Sequence, residues 1–515
     1  MTMERERCAI SRSIPREETL LCRRLSVMET KWLGLLITTL TCSCNGTSFE
    51  LGVLPGSGGA GGSADSATAH GGSSADGEPI AHGGFTAHGG AAAHSGGTNS
   101  GGSEPGNPTT GGSPSAGTGA SDNGPALSTS EDEGADCIVG ALPEAATLPT
   151  IDKLPDPFTK LDGSAVTTLA DWRCRREELE KQAEKYAYGR KPARPELVTG
   201  TVTSTRLEVN VADNGKTATF SATIKLPATG QAPYPAIIAY AGSGPLDQSV
   251  LDAEGVALIE FNVSAVGAES GQRGANQTGA FYSLYGASST TGLLMAWAWG
   301  TSRIIDVIEH SGSTLLNPDA IGVTGCSRYG KGAFIAGAFD QRIALTLPVE
   351  SGTAGVPTWR GIEKADVGDN GQPSQSLSSA YHEQPWFSDE FEPFLDAATK
   401  SPIDTHELVA LVAPRGLLIL DNPYVGELSP AYGALAALAG AEVYQALGAR
   451  DRIGYISDEA SGIHCGTRPE WKAPVQAAIK RFLRKTGTDP NPMLVKAGFS
   501  ADLAAWRDWT TPTLE

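Results

Sequence analysis

Short apolar runs separated by turn residues alternate with stretches of helical spacing from about residue 150 to the end of the chain. Pro235–Tyr240, Gly255–Phe261, Ala344–Val349 and Gly416–Leu420 are almost wholly apolar, as strands buried on both faces must be. Ala218–Leu226 alternates apolar and polar residues, the mark of a strand with one wet face. Asp171–Ala187 has helical spacing, with Asp171 near its start and Gly189 beyond its end. Gly292–Glu309 reads as a long helix, and a last helix falls around Val475–Leu483. Buried strands interleaved with helices predict an α/β fold: a mostly parallel sheet with helices on both faces, a three-layer αβα sandwich.

Chemistry enters at Ile321-Gly-Val-Thr-Gly-Cys-Ser-Arg-Tyr-Gly-Lys-Gly-Ala333. Ile321, Val323 and Thr324 read as the end of a buried strand, and Ala333–Phe339 as a helix packed under it. Ser327 sits on the turn between them, bracketed by Gly325, Gly330 and Gly332. A serine on a sharp strand-to-helix turn is the nucleophile elbow of the α/β-hydrolase fold. The spacing is one residue longer than the usual G-x-S-x-G. Arg328 and Lys331 fall in the first helical turn, where the helix dipole is already positive and a cation is unfavourable. They are therefore expected to meet negative charge, a developing oxyanion or an oxygen-rich substrate, rather than to stand as solvated surface cations.

Composition divides the chain. Residues 45–136 are Gly, Ser, Ala, Thr and Asn with few large apolar side chains, too little to offset the entropy of ordering them. They read as a linker, and the Ala-His-Gly-Gly-like units at His70, His82, His88 and His94 as tether rather than metal tract. Residues 137–515 suffice for one large catalytic domain. Residues 1–44 read as an export segment with Met28 as the true start: a charged stretch to Trp32, then an apolar run, Leu33–Leu40, too short to span a bilayer. Thr41-Cys-Ser-Cys44 resembles a bacterial lipoprotein cleavage site, with Cys44 or else Cys42 lipidated; an ordinary cleaved signal is the alternative. The expected location is extracellular, secreted or tethered by lipid, and a monomer is expected. A net charge of −19 without a basic stripe argues against nucleic acid. With no P-loop, no dinucleotide fingerprint and no ligand spacing among the domain's histidines and cysteines, neither cofactor nor metal is expected.

A serine hydroxyl needs a histidine to take its proton and an acid to orient that histidine. His382, His406 and His464 follow Ser327. His464 lies in a Gly-bounded loop, Ala460-Ser-Gly-Ile-His-Cys-Gly466, before the last helix, where this fold places its base. His406 falls at a helix start and reads as structural, while His382 could face the cleft. The acid is open between Glu350, which ends the strand after the elbow helix, and Asp421 or Glu427 after the next one. Cys326 precedes the candidate nucleophile and Cys465 follows the candidate base. A disulfide between them would hold both loops in register, closing about 139 residues for a stabilisation of ~5 kcal/mol by chain entropy. Cys137 would then pair with Cys174.

The segments Gly325–Ala333, Leu345-Thr-Leu-Pro-Val-Glu-Ser-Gly352 and His464-Cys465 resemble the glucuronoyl esterases, fungal-type branch, of carbohydrate esterase family fifteen. So do Leu154-Pro-Asp-Pro-Phe158, Phe281–Gly286, Ala296–Asp306 and Asp508–Leu514, so that the resemblance runs over residues 137–515. It implies hydrolysis of ester bonds between lignin alcohols and (4-O-methyl-)D-glucuronic acid of glucuronoxylan. It implies Ser327 as nucleophile, Glu350 as acid, His464 as base and Arg328 at the oxyanion, with Cys326 bonded to Cys465. Lys331, Gln375 and Glu383 match the family's sugar contacts. Where the family has a tryptophan over the sugar this chain has Glu427, in Asn422-Pro-Tyr-Val-Gly-Glu-Leu428, with Tyr424 as a partial replacement and Glu427 as a second acid near the base. The alternatives are another carbohydrate esterase, such as an acetyl-xylan deacetylase, or a catalytically silent cell-surface polysaccharide binder.

Overall fold

The computed structural model describes residues 130–515 apart from 243, 271–272, 275–276, 365–372, 497–498 and 500–501, together with the backbone of four short strands between Met28 and Ser48. Those four form two separate pairs, Met28–Trp32 with Leu35–Thr39 and Ser43–Cys44 with Thr47–Ser48, all antiparallel. The linker histidines, Cys8, Cys22 and Cys42 lie outside the described residues. Among the described residues no helix is long and apolar enough to cross a membrane.

Ten strands between Leu197 and Leu494 form one sheet. In chain order they are β1 (Leu197–Val202), β2 (Arg206–Asp213), β3 (Lys216–Lys225), β4 (Tyr234–Tyr240), β5 (Ala257–Phe261), β6 (Leu316–Cys326), β7 (Ile343–Val349), β8 (Gly416–Leu420), β9 (Ile453–Ile456) and β10 (Met493–Leu494). Their spatial order is β10-β9-β8-β7-β6-β4-β5-β3-β2-β1. From β10 to β5 every neighbour is parallel. The β1–β2, β2–β3 and β3–β5 pairs are antiparallel, which agrees with the alternating pattern of β3 at the less covered side.

The buried strands divide their side chains between two cores, as the period of two requires. In β4, Ala236, Ile238 and Tyr240 enter one core while Ile237 and Ala239 enter the other. In β8, Leu417 and Ile419 oppose Leu418 and Leu420 in the same way. Helices α1 (Leu169–Ala183), α2 (Leu293–His310), α3 (Arg328–Phe339), α4 (Leu377–Glu383), α5 (Thr405–Val412) and α6 (Pro430–Ala446) contribute to the first core. Helix α7 (Pro469–Ala478) supplies Trp471, Val475 and Ala478 to the second. This is the three-layer α/β-hydrolase arrangement.

Local signals account for the helix starts. Thr168 and Asp171 close a capping box on α1, and Asp404 with Glu407 close another on α5. Helix α2 is buried from Leu293 to Ile308, mostly apolar, with its two buried charges, Arg303 and Asp306, paired at 2.7 Å.

Residues 130–136, which composition groups with the linker, pack on the domain. Glu131 pairs with Lys191 at 2.7 Å and with Arg303 at 2.5 Å, and its carbonyl accepts from Gln341 N–H at 3.0 Å. Burial alone would raise the Glu131 pKa, but Lys191, Arg303 and Arg342 outweigh it and hold the carboxyl well below its ordinary value. Three buried cations thus gather around this acid, and no composition average could have flagged one residue.

Candidate active site

Strands β6 to β9 run parallel and end side by side, so the loops that leave them share one edge of the sheet. Ser327 leaves β6, Glu350 leaves β7, Asp421 leaves β8, and the loop carrying His464 leaves β9.

Ser327 is the residue before α3, with φ 58° and ψ −127°. Its N–H donates to Val349 O at 2.9 Å, fixing the elbow to the neighbouring strand. Gly325 and Gly330 have to be glycine because of close approach. A Cβ on Gly325 would stand 2.4 Å from Tyr329 O, and one on Gly330 would stand 2.5 Å from Val349 O. Glu350 (φ 44°) and Cys465 (φ 59°) are also left-handed. Three non-glycine residues in this sparsely populated region each cost roughly 1–3 kcal/mol, and such strain gathers at functional sites.

The buried Glu350 carboxylate makes the decisive contacts. Its Oε2 accepts from His464 Nδ1 and from Cys465 N–H, the latter at 3.2 Å. His464 lies with its side chain 40% exposed while Glu350 is enclosed, so the imidazole has one face on the acid and another on solvent. Its Nε2 is 3.6 Å from Cys465 Sγ, and Cys465 is bonded to Cys326 with Cα atoms 5.8 Å apart. The disulfide therefore carries the His464 loop to the residue beside Ser327. One donor atom from each of Cys326, Glu350, His464 and Cys465 lies within 4.8 Å of the others, but the bonded sulfurs are not thiolate donors for a metal. Cys137 and Cys174 form a second disulfide, on α1.

Asp421 is buried, and burial, aided by the Glu350 charge and opposed by a hydrogen bond with Tyr455, pushes its pKa up to about 7. Its backbone N–H is taken by Ile456 O at 2.8 Å. Glu427 is exposed. Of the three candidate acids, Glu350 is the one seen bonded to the imidazole of His464. His406 is buried, its Nε2 donating to Pro155 O at 2.9 Å, and burial lowers its pKa to about 4. His382 is exposed on α4, its Nδ1 donating to Ser378 O at 2.8 Å.

On the other side of Ser327 the surface is polar. Arg328 pairs with Glu269 at 3.1 Å and with Glu383 at 3.2 Å, and lies over the Trp386 ring at 5.6 Å. The negative charge expected to meet this cation is therefore already present in the fold as two carboxylates. Lys331 is buried, donates from Nζ to Ser351 O at 2.5 Å and stands 4.9 Å from the Trp386 ring. Burial brings its pKa down to about 7. Gln375 Nε2 donates to Glu383 Oε2 at 2.7 Å, joining the two residues that the family pattern pairs eight positions apart.

Glu269 was not singled out from the sequence. It binds Arg328 through one oxygen and accepts from Trp386 Nε1 at 2.8 Å through the other. A lone acid in a Gly- and Ala-containing loop carries no local signal. A cavity of about 850 Å³ lined by Glu131, Lys191, Glu309 and Arg342 contains none of these residues.

Residues 209–448 match the family described as "Glucuronyl esterase, fungi". Over 385 residues the chain is 40% identical to the 4-O-methyl-glucuronoyl methylesterase of Hypocrea jecorina, spanning 74% of this chain and 80% of that protein. The chain belongs to the glucuronoyl esterase family. Among solved structures, the glucuronoyl esterase catalytic domain of Hypocrea jecorina aligns with a TM-score of 0.66 at 38% identity, covering 73% of this chain and all (100%) of that one. A glucuronoyl esterase mutant of Sporotrichum thermophile, serine replaced by alanine, in complex with methyl 4-O-methyl-β-D-glucopyranuronate, aligns with a TM-score of 0.65 at 34% identity, over 74% and 100% of the two chains. Glu427 stands on a loop where its own carbonyl accepts from Gln375 N–H at 2.9 Å.

Proposed function

We propose that this glucuronoyl esterase is a serine-type carboxylic ester hydrolase cleaving esters between lignin alcohols and (4-O-methyl-)D-glucuronic acid of glucuronoxylan, with Ser327, His464 and Glu350 as its triad. The observation that carries the reading is the Glu350–His464 hydrogen bond, joined by the Cys326–Cys465 disulfide to the Ser327 elbow. On this reading His464 Nε2 takes the Ser327 proton as Oγ attacks the ester carbonyl carbon, and Glu350 stabilises the imidazolium. The oxyanion is met by backbone N–H groups at the start of α3 and by the Arg328 guanidinium. Collapse of the tetrahedral centre breaks the bond to the alcohol oxygen, which receives the proton from His464. Water, deprotonated by the same histidine, then releases the uronic acid and restores Ser327.

Lys331, Gln375 and Glu383 offer donors and acceptors for the sugar hydroxyls. Hydrolysis of benzyl glucuronate and of acetylated xylan by the full chain, side by side, tests the assignment. Turnover of the first is expected; deacetylation of the second without it would assign the chain to the other esterase class. Arg328→Ala is expected to lower kcat about 100- to 1,000-fold, the usual effect of losing one strong oxyanion donor. Near-normal turnover in a folded Arg328→Ala protein would remove that side chain from the mechanism.

Export with lipidation at Cys44 belongs to the same proposal and is supported by the charged and apolar stretches before it. Metabolic labelling with palmitate should mark the wild type and not Cys44→Ser.

A further inference from the structure

The segment Asn422–Leu428 crosses between the two sides of the site. Its beginning is pinned to the His464 loop. The Asn422 side-chain amide donates to Ser461 O at 2.8 Å, and its oxygen accepts from Ser461 N–H at 3.0 Å and from Tyr424 N–H at 3.1 Å. Its end is pinned to the polar side through the bond between Gln375 N–H and Glu427 O at 2.9 Å. Tyr424 thus belongs to the base's side, its ring 4.0 Å from where a Cβ on Gly462 would stand.

Two large apolar side chains are left open to solvent there: Tyr424, 56% exposed, and Ile463, 67% exposed and adjacent to His464. Scattered exposed residues such as Leu197 or Leu494 need no explanation. Ile463 precedes the candidate base and Tyr424 lies on a segment bonded to the same loop, while Gln375, at that segment's other end, is joined to Glu383 and through it to Arg328. One side is lined by charged and amide groups, the other by an aromatic ring and an aliphatic side chain.

We infer that Tyr424 and Ile463 form the subsite for the alcohol half of the ester and select a flat, aryl-bearing alcohol; the inference rests on the reaction proposed above. In that reaction His464 hands its proton to the departing oxygen, so the alcohol must lie on the imidazole's side, where the apolar pair stands. An aryl group laid across them leaves water and gains ring contact with Tyr424. The hydroxyl-rich uronate then occupies the polar rim. Tyr424, which the sequence suggests as a substitute for a sugar-stacking tryptophan, serves the other half of the substrate.

The test compares kcat/KM for benzyl and methyl glucuronate esters in the full-length wild type, in Tyr424→Ala, Ile463→Ser and their double variant, and in Leu197→Ser as a remote apolar control. Both esters give the same acyl-enzyme, so their ratio isolates the alcohol. The benzyl-to-methyl ratio is expected to fall severalfold in each single variant and about tenfold in the double variant, and to hold in Leu197→Ser. An unchanged ratio in the double variant, with both esters still hydrolysed, overturns the subsite while leaving the reaction standing. A wild type that hydrolyses neither ester overturns the reaction and the subsite with it.

Discussion

Ser327→Ala should lose roughly 10⁴- to 10⁶-fold in the turnover of benzyl glucuronate, the scale seen when a triad nucleophile is removed. The variant should nevertheless fold. Alanine keeps the Cβ, so the cost of φ 58° at this residue does not change, and the N–H bond to Val349 O is untouched. Thermal unfolding of the two proteins should coincide while their rates diverge. Equal rates in wild type and variant would remove Ser327 as nucleophile. An inactive wild type that binds glucuronoxylan as well as the variant does would favour the silent polysaccharide binder.

Much of this was legible in the sequence because the decisive residues sit where periodicity changes. Strand β8 begins and ends where its apolar run does, and α2 lies within one residue of its predicted start and end. Ser327 is legible because glycines needed for close approach surround it. Spacing alone leaves the acid open, because Glu350 and Asp421 occupy equivalent positions after neighbouring strands; only the family resemblance points to Glu350. The difference between them is the direction of one carboxylate, which spacing does not encode.

Other elements were missed for identifiable reasons. Helix α6, Pro430–Ala446, is an Ala- and Gly-rich helix buried over most of its length, so it shows no amphipathic stripe. Strand β9 has four residues, too few for a pattern. Glu269 acts across 59 positions of sequence on Arg328, and long-range ion pairs leave no local trace.

Glu350→Gln is expected to lower kcat by about 10⁴-fold, because a neutral amide can still meet His464 but cannot stabilise the imidazolium as a carboxylate does. The contrasting variant is Asp421→Asn. Burial holds the Asp421 carboxyl at a pKa of about 7, against 3.8 for the ordinary group, so near neutrality much of it is already uncharged and asparagine imitates that form. Its rate should stay within about threefold of wild type at neutral pH, since the imidazole's hydrogen bond goes to Glu350 and is left intact. Stability carries the sign that distinguishes the two acids. A carboxyl whose folded pKa is raised favours folding below its unfolded pKa and loses that contribution as pH rises through the folded value. Wild-type stability should therefore fall on this account between about pH 4 and about pH 7, and Asp421→Asn should gain in Tm relative to wild type over that interval. If Asp421→Asn instead abolished turnover and Glu350→Gln did not, the acid of the triad would be the residue after β8, and the hydrogen bond from His464 to Glu350 would be a structural contact only.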